Sequence, residues 1–445
     1  MASELRKDKI GLSMGAFGYN LGAAGLMTFL TYFYTDSMLI SAASVSMILF
    51  VSRIVDAITD LLVGALIDRN RSKHGKARPF LIWMALPAII SMAATFYVPN
   101  FTETGRVIYS LITYNLMAFF YLTCLALPLQ ALVSLITPDG RERLRLSQLW
   151  GFFSTGSAVI VNFFANNIIL ALGGGTRGYF LYFTIMAVIG VGLISACYLL
   201  TKERTEGSQE EKVPLRVGVK CIMQNKYWWI ASGIYLMTSL VPSAWAATAY
   251  YCIYWLEGAV DFGHVMSLLW GGITIGILLF VPISARVGKA YSAAIGIAMQ
   301  AFGGILLWLA PTSIPMLWIS TVFRSVGVGG LSGNMNAMLA DVVEYGDWKT
   351  GVRTEGLVYS GASFGGKVGT GLGGAIVAAL LAWGAYVPQA ATQAPKAMAA
   401  IKYAFIAFPF IGSCLIIVML LLFNVEKLMP QIKKDLAERR AQKTV

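Results

Sequence analysis

Twelve long apolar runs, separated by short polar segments, dominate this sequence of 445 residues. Only 13% of the residues are charged, whereas soluble proteins usually carry about 25%. Too few charges are present to build an aqueous surface for a chain of this mass, and the mean hydropathy of +0.68 agrees. Each run is close to or above the roughly 20 apolar residues that a helix needs to cross a bilayer. We therefore predict an all-α membrane protein with twelve transmembrane helices.

The basic residues predict how these helices are oriented. The predicted spans are residues 10–35, 41–67, 79–98, 106–136, 148–172, 179–201, 227–256, 262–285, 291–310, 314–340, 355–384 and 401–424. With the amino terminus placed inside, 27 of the 34 Lys and Arg residues fall in inside segments, four fall outside and three lie within spans. Because cytoplasmic segments are enriched in Lys and Arg, both termini are predicted to be cytoplasmic. The net charge of +12 is thus an orientation signal, and we expect no nucleic-acid partner.

A hydrophilic stretch near the middle divides the chain into two halves of six spans. Each half has a Gly-containing basic turn after its second span and a charged loop after its fourth, at 138–143 and 341–353. This weak internal repeat indicates two related bundles with a substrate path between them. The predicted parts are an amino-terminal six-helix bundle with a cation site (1–201), a cytoplasmic central loop (202–226), a carboxy-terminal six-helix bundle (227–424) and a cytoplasmic tail (425–445).

Span two contains three charged residues, Arg53, Asp56 and Asp60, whose spacing places them on one helix face. Ionisable groups inside a bilayer are costly and are functional candidates. Two carboxylates four residues apart repel each other when both are ionised, and a bound Na⁺ or Li⁺ or a shared proton relieves the repulsion. Thr59 adds a hydroxyl oxygen beside Asp60. The alternative is an ion-paired cluster with Arg53 that only fixes packing.

Span four contains a proline, Pro128, which leaves the carbonyl group of Cys124 without its helical donor. Thr123 lies beside this break and is a candidate fourth oxygen ligand for the cation. The alternative is that its hydroxyl group bonds only to its own helix.

Two basic residues lie in spans of the second half. Lys367, within a glycine-rich span, needs a carboxylate partner or water, and pairing with Asp56 or Asp60 is the economical solution. Arg324, in the middle of span ten, either binds an anionic substrate in bidentate fashion or pairs structurally with a carboxylate. Both interpretations stay open at this point.

Three motifs resemble those of a known transporter family. They are RIVDAITD at 53–60, followed by RSKHGKARPF at 71–80; TPDGRER at 137–143; and DVVEYGDWKTGVRTEG at 341–356, with Lys367 further on. With these motifs the chain resembles the glycoside–pentoside–hexuronide:cation symporter family, a branch of the major facilitator fold that includes melibiose permease and glucuronide permeases. The resemblance implies two six-helix bundles and coupled uptake of a sugar or sugar derivative with Na⁺, Li⁺ or H⁺. It implies no other cofactor.

The family's cation site is retained at the matching positions, whereas its sugar site is not. The cation positions are Asp56, Thr59, Asp60 and Thr123, and the helix-eleven lysine matches Lys367. Where the family pattern has sugar-site aspartate, aspartate, tryptophan and arginine, this chain has Asn20, Ala126, Gln130 and Gly151. The resemblance therefore argues against a galactoside and for a different sugar or a sugar acid. The candidate substrate contacts are Tyr19, Asn20, Gln130, Arg324 and Lys367.

We expect transport by alternating access, in a bacterial inner membrane, by a monomer surrounded by lipid. The expected cytoplasmic gate consists of the charged residues Arg141, Arg143, Asp341, Glu344 and Arg353. A lysolipid or other amphiphile transporter, or an uncoupled sugar uniporter, would use the same fold. A membrane enzyme would need a nucleophile, base or metal constellation, and the two histidines, His74 and His264, are far apart in the sequence.

Overall fold

The computed structural model describes residues 2–70, 72–137, 139–204, 215–352 and 354–443, and every regular element in them is helical. The α-helices are α1 (Ala2–Tyr32), α2 (Ala42–Arg69), α3 (Arg78–Trp83), α4 (Ala85–Thr95), α5 (Glu103–Met117), α6 (Ala126–Leu135), α7 (Gly140–Ala171), α8 (Gly175–Leu200), α9 (Leu215–Met223), α10 (Lys226–Leu240), α11 (Thr248–Tyr250), α12 (Phe262–Val287), α13 (Lys289–Leu309), α14 (Ile314–Thr350), α15 (Glu355–Trp383), α16 (Pro395–Lys402), α17 (Phe408–Leu422) and α18 (Val425–Lys443). Wider π-helical turns occupy Phe33–Ser37, Ala118–Thr123, Tyr251–Trp255 and Tyr403–Ala407, and a 3₁₀ segment occupies Val241–Ala247.

The helices match the predicted spans. Within the described ranges, nine helical segments are long and apolar enough to cross a membrane. Together with α1, α2 and the consecutive helices α3 and α4 they make twelve helical spans, which confirms the predicted all-α membrane fold. Large apolar side chains point away from the protein, and Leu199 and Leu309 are each 75% exposed. Such extensive apolar surface is unfavourable in water and suits the hydrocarbon of a bilayer.

Several helices begin where a short polar side chain caps the first turn. The side-chain oxygens of these N-cap residues accept a hydrogen bond from a backbone N–H two or three residues further on: Ser41, Thr102, Asn225 and Ser313. These bonds satisfy N–H groups that have no partner within the helix. The start of α3 is capped differently, because the Glu203 carboxylate accepts the N–H groups of Lys76, Ala77 and Arg78 at 2.7–2.9 Å.

One segment predicted to be a loop is helical. Span ten was expected to end at 340 and to be followed by a charged loop, but α14 continues to Thr350. It ends at Gly351, which has a φ of 71° and donates its N–H to the carbonyl of Asp347 at 2.8 Å. The polar residues after 340 mark where the helix leaves the bilayer, because 37 residues at about 1.5 Å each exceed the roughly 30 Å hydrocarbon core.

Other segments expected to be loops are helical as well. The basic residues after Pro138 lie in the first turns of α7, and the predicted central loop contains α9. The predicted tail forms α18, which packs on the end of α14: the Trp348 indole donates to the Asp435 carboxylate at 2.8 Å, and Arg439 donates to the carbonyl groups of Asp347 and Trp348 at 3.2 Å. Ile432 of this helix is fully buried.

The contacts divide the chain into two compact units. Unit 1 comprises Met1–Gln209, Trp245–Trp270 and Ala375–Ile401, and unit 2 comprises Glu210–Ala244, Gly271–Gly374 and Lys402–Val445. Unit 1 therefore contains two segments from the second half of the sequence, packed with the first half. The predicted division into bundles at 1–201 and 227–424 stays a prediction.

Candidate functional site

Within unit 1, the predicted cation residues of α2 surround one buried carboxylate. Asp56 is only 8% exposed, and its Oδ2 lies 3.6 Å from Nη1 of Arg53, one turn earlier. This separation is longer than a hydrogen bond, so the arginine contributes charge rather than a directed contact. A carboxylate at this depth requires partners, because transfer of an ionised group out of water is costly.

The second partner of Asp56 comes from the interrupted helix between α5 and α6. The Thr123 hydroxyl donates to Oδ1 of Asp56 at 3.2 Å, and both residues are buried. Thr123 ends the π-helical turn Ala118–Thr123, and α6 begins only at Ala126, two residues before Pro128. Single π-turns are frequent at functional sites. The break expected from the proline thus lies beside the threonine that contacts the carboxylate.

The other two predicted cation residues lie further along α2. Thr59 donates its hydroxyl proton to the backbone carbonyl of Asp56 at 3.0 Å, which leaves its oxygen lone pairs available as a ligand. Asp60 is half-buried, one turn after Asp56. The structure therefore brings Asp56 and Thr123 into contact and keeps Thr59 and Asp60 on the adjoining turn. Their role as cation ligands stays a prediction.

Two polar contacts missed in the sequence hold this arrangement together. The Asn115 side chain on α5 donates to Ser52 Oγ at 3.0 Å and to the carbonyl of Leu111 at 2.6 Å, which ties α5 to α2 beside Arg53. The rings of Tyr19 and Tyr121 stack with centroids 5.9 Å apart, and the Tyr121 hydroxyl donates to the Tyr19 carbonyl at 3.0 Å. The signal in the sequence that could have revealed these contacts is that each of them joins polar residues in two different predicted spans.

The three predicted sugar contacts in the first half of the sequence differ in their surroundings. Tyr19 is close to the broken helix, because its hydroxyl lies 3.5 Å from the carbonyl of Leu122, next to Thr123. Asn20 donates to the carbonyl of Ala16 at 3.2 Å on its own helix. Gln130 is exposed. Tyr19 is thus the candidate closest to the Asp56 site, and the substrate role of all three stays a prediction.

Arg324 has a packing role in unit 2. It is 3% exposed, its Nη2 donates to the carbonyl of Phe405 at 3.1 Å, and its guanidinium group lies 4.6 Å from the centre of the Phe405 ring. Phe405 is in the π-helical turn Tyr403–Ala407, where the regular helical bonding pattern changes. Arg324 therefore supports an irregular turn of the neighbouring helix through a hydrogen bond and a cation–π contact.

Lys367, the other basic residue of a predicted span, is half-buried in the glycine-rich helix α15 of unit 2. Small residues let this helix approach its neighbour: the Cα atoms of Gly361 and Gly369 face Trp228 and Leu236 of α10 without room for a side chain. The predicted pairing of Lys367 with an aspartate of α2 stays a prediction.

The predicted gate residues have partners close to them in the fold. In unit 2, Asp341 forms an ion pair with Lys289 at 2.5 Å, and Glu344 lies half-buried one turn later. In unit 1, Nε of Arg143 donates to the carbonyl of Thr137 at 2.9 Å. The gate predictions for Arg353 and for the side chain of Arg141 lie outside the described residues.

Comparison with known proteins defines the class of this chain. The family model described as "MFS/sugar transport protein" matches residues 11–427. The isoprimeverose transporter of Lactiplantibacillus pentosus is 31% identical, covering 98% of this chain and 92% of that protein. The putative glycoside/cation symporter YagG of Escherichia coli is 30% identical, covering 98% and 95%, and the glucuronide carrier protein homolog of the same organism is 27% identical, covering 88% and 87%.

Solved structures agree on the fold. A nucleoside transporter superposes with a TM-score of 0.68 over 94% of this chain and 100% of that chain, at 13% identity. A bacterial homolog of the lysosomal transporter Spinster gives 0.65 over 98% of both chains, also at 13% identity. The protein is a membrane transporter of the major facilitator fold and no enzyme. It belongs to the MFS/sugar transport family, within which its relatives are the glycoside–cation symporters and glucuronide carrier homologues, as the motifs predicted.

We predict that Arg324→Met lowers the thermal stability of the protein, because the Phe405 carbonyl loses its buried donor. The expected loss is about 1–3 kcal/mol, and Arg324→Lys should lose less because one donor remains. Thermal unfolding of the purified variants in detergent measures the effect. Arg286→Met, which changes an exposed arginine, is the matched control. Equal melting temperatures for Arg324→Met and the parent protein would rule out the packing role.

Proposed function

We propose that the protein carries out cation-coupled symport of a sugar, a glycoside or a sugar acid by alternating access. The observation that carries the proposal is the buried Asp56 carboxylate, which accepts the Thr123 hydroxyl from a broken helix. A purely structural ion pair would require only Arg53. The additional oxygens of Thr123 and Thr59, with Asp60 one turn away, supply the hard ligands that a small cation prefers.

The coupling ion in this proposal is Na⁺, Li⁺ or H⁺. Binding of any of them reduces the net negative charge near Asp56 and Asp60 and removes the repulsion between the two carboxylates. If the sugar and the cation both stabilise the same conformation, each increases the affinity for the other, and this coupling is reciprocal. An uncoupled uniporter would retain the fold without this dependence on the ion.

The substrate class is argued from the predicted sugar positions and from the relatives. Asn20, Ala126 and Gly151 lack the charges of the family's galactoside pattern. One relative transports isoprimeverose according to its name, and another is a glucuronide carrier homologue. We propose a neutral glycoside or a sugar acid other than a galactoside, contacted by Tyr19, Asn20, Gln130 and Lys367. Arg324 stays a further candidate contact for an acidic substrate group, beside its hydrogen bond to the Phe405 carbonyl.

We further propose that both termini face the cytoplasm of a bacterial cell and that the protein lies in the inner membrane. The distribution of Lys and Arg supports this orientation. In that orientation, Asp341 and Lys289 lie on the cytoplasmic side, together with Arg143. We propose that these residues take part in the gate that closes this side. A lysolipid or other amphiphile as the substrate remains the alternative, which the ligand screen below also tests.

We predict that the binding of the sugar and the binding of the cation depend on each other, and that a thermal-stability screen detects this coupling. The purified protein is tested against sugars, sugar acids and lysolipids, each with and without Na⁺ and across a range of pH. A true substrate should raise the melting temperature further when the coupling ion is present, because a ligand that binds only the folded state stabilises it.

Asp56→Asn should abolish the ion dependence, and Thr123→Val should weaken it. Glu103→Gln, which removes an exposed carboxylate at the start of α5, is the matched control. Stabilisation by a sugar that is the same with and without every tested cation, at every pH, would contradict symport. Stabilisation by lysolipids alone would contradict the sugar substrate.

We predict that Asp341→Asn favours the inward-facing state. The expected shift is about two- to fivefold, the effect of an ion pair whose lysine is partly exposed to solvent. The measurement is the alkylation rate of a cysteine introduced at Asn20, with an impermeant reagent added to inside-out vesicles. Glu438→Gln, an exposed carboxylate of α18, serves as the control. An unchanged rate in Asp341→Asn would argue against the gate.

A further inference from the structure

Another buried carboxylate lies in unit 1, at the other end of α1 from the amino terminus. Asp36 is 3% exposed and sits in the π-helical turn Phe33–Ser37. Its Oδ2 accepts the Thr35 hydroxyl at 2.6 Å, and its Oδ1 accepts the Tyr386 hydroxyl at 2.8 Å and the Gln389 N–H at 3.2 Å. The Gln389 side chain also donates to the Asp36 backbone carbonyl at 2.5 Å.

Two further tyrosines extend this cluster. The Tyr250 hydroxyl lies 2.7 Å from the Thr35 hydroxyl, and the Tyr254 hydroxyl lies 3.1 Å from that of Tyr386. Each hydroxyl has one proton, and that of Thr35 also lies 3.2 Å from the carbonyl groups of Thr31 and Tyr32. If the inner hydroxyls of Thr35 and Tyr386 donate to Asp36, then Tyr250 and Tyr254 donate inward, and two chains of hydroxyl groups converge on the two oxygens of Asp36. This directionality fits an ionised carboxylate that only accepts hydrogen bonds.

The charge of Asp36 is stabilised by neutral donors. No ion pair to it is found among the described residues, and the nearby Arg106 donates to the backbone carbonyl of Met38 at 2.6 Å. Hydrogen bonds to a charged group are stronger than neutral ones, and their loss leaves a costly unsatisfied charge. If the segment with Tyr386 and Gln389 moved away, Asp36 would lose two of its three donors and would have to be hydrated.

Backbone strain surrounds the same contact. Leu39, Ala385 and Gln389 all have φ values of 53–56°, in the left-handed region that residues other than glycine seldom adopt. Such conformations cost energy, persist only where the surroundings enforce them, and cluster at switch regions. The strained residues follow Asp36 on one side and flank Tyr386 on the other. Leu39 and Ala385 follow helix ends, where a left-handed residue commonly closes the last turn, whereas Gln389 itself donates to Asp36.

Another polar contact in unit 1 also joins the first half of the sequence to the second. The Asn166 side chain of α7 donates to Oδ1 of Asp261 at 2.5 Å, and this oxygen also accepts the Gly263 N–H at 2.7 Å at the start of α12. Ser267, one turn further, donates to the carbonyl of Val159 at 2.9 Å. In the described part of unit 1, the Asp36 and Asp261 contacts are both points where a carboxylate and neutral donors connect segments from the two halves.

We propose that Asp36, with Tyr386 and Gln389, forms a latch that holds this end of unit 1 closed and that must open during the transport cycle. The latch consists of one buried charge and uncharged donors, so it closes without a salt bridge. It breaks when the carboxylate becomes hydrated. The proposal rests on the alternating access of the proposed function, but on neither the substrate nor the coupling ion.

The test uses a cysteine beneath the latch. Phe29 is fully buried on α1, with its ring 5.0 Å from that of Phe262. Phe29→Cys is introduced together with Cys414→Ser, which removes the exposed native cysteine. The protein is labelled with an impermeant maleimide in lipid nanodiscs, where both faces are accessible, and mass spectrometry locates the label. Cys197, fully buried on α8, reports whether the whole protein has unfolded.

In this background, Asp36→Ala should increase the labelling rate at position 29 about tenfold, as expected for the loss of hydrogen bonds to a charged group. Asp36→Asn and Tyr386→Phe should give smaller increases, and Cys197 should stay unlabelled. Glu103→Ala and Tyr97→Phe, which alter exposed side chains, should change nothing.

Unchanged labelling at position 29 in the Asp36 and Tyr386 variants would overturn the latch. An increase at Cys197 that matches the increase at position 29 would also overturn it, because Asp36 would then act on global stability. If Asp36→Ala does not fold, the labelling rate of Tyr386→Phe decides whether the latch exists, since this variant removes one hydroxyl and no charge. The assay contains no substrate, so its failure would leave the proposed symport untouched.

Discussion

The cost of burying the Asp56 carboxylate in a membrane helix is the constraint on which the site depends. A charge at this depth requires compensation, and the protein supplies it from two helices. Arg53 contributes positive charge from α2, and Thr123 contributes a hydroxyl from a helix that is broken to present it. The Asn115–Ser52 bond ties α5 to α2 beside these groups.

Much of this could be predicted from the sequence because the relevant signals are local. A run of apolar residues specifies a membrane helix wherever it occurs, and the number of spans and the fold class followed from that. The spacing of Arg53, Asp56 and Asp60 fixes their common face through helix geometry alone. Pro128 predicts a break in its own helix for the same reason. The specific motif at 341–356 identified the family, and the family match agreed.

What the sequence did not predict depends on partners far away in the chain. Polar composition after residue 340 suggested a loop, yet α14 continues because polarity reports the edge of the bilayer and not the end of a helix. For Arg324 the sequence left an anionic substrate and a carboxylate partner open, whereas the structure shows a hydrogen bond to a carbonyl and a ring contact 81 residues away. The sequence did not single out Asp36, since two of its three donors lie about 350 residues further on. No local pattern reveals such contacts.

We propose that a sugar and a cation move together through a site that contains Asp56. The most direct test of this proposal is ion movement driven by the substrate in proteoliposomes without an initial ion gradient. Once the screen has identified a substrate, a gradient of that substrate alone should drive ²²Na⁺ uptake, or a pH change if the ion is a proton. Asp56→Asn should abolish the ion movement. Substrate uptake without any movement of Na⁺, Li⁺ or H⁺ would contradict the account.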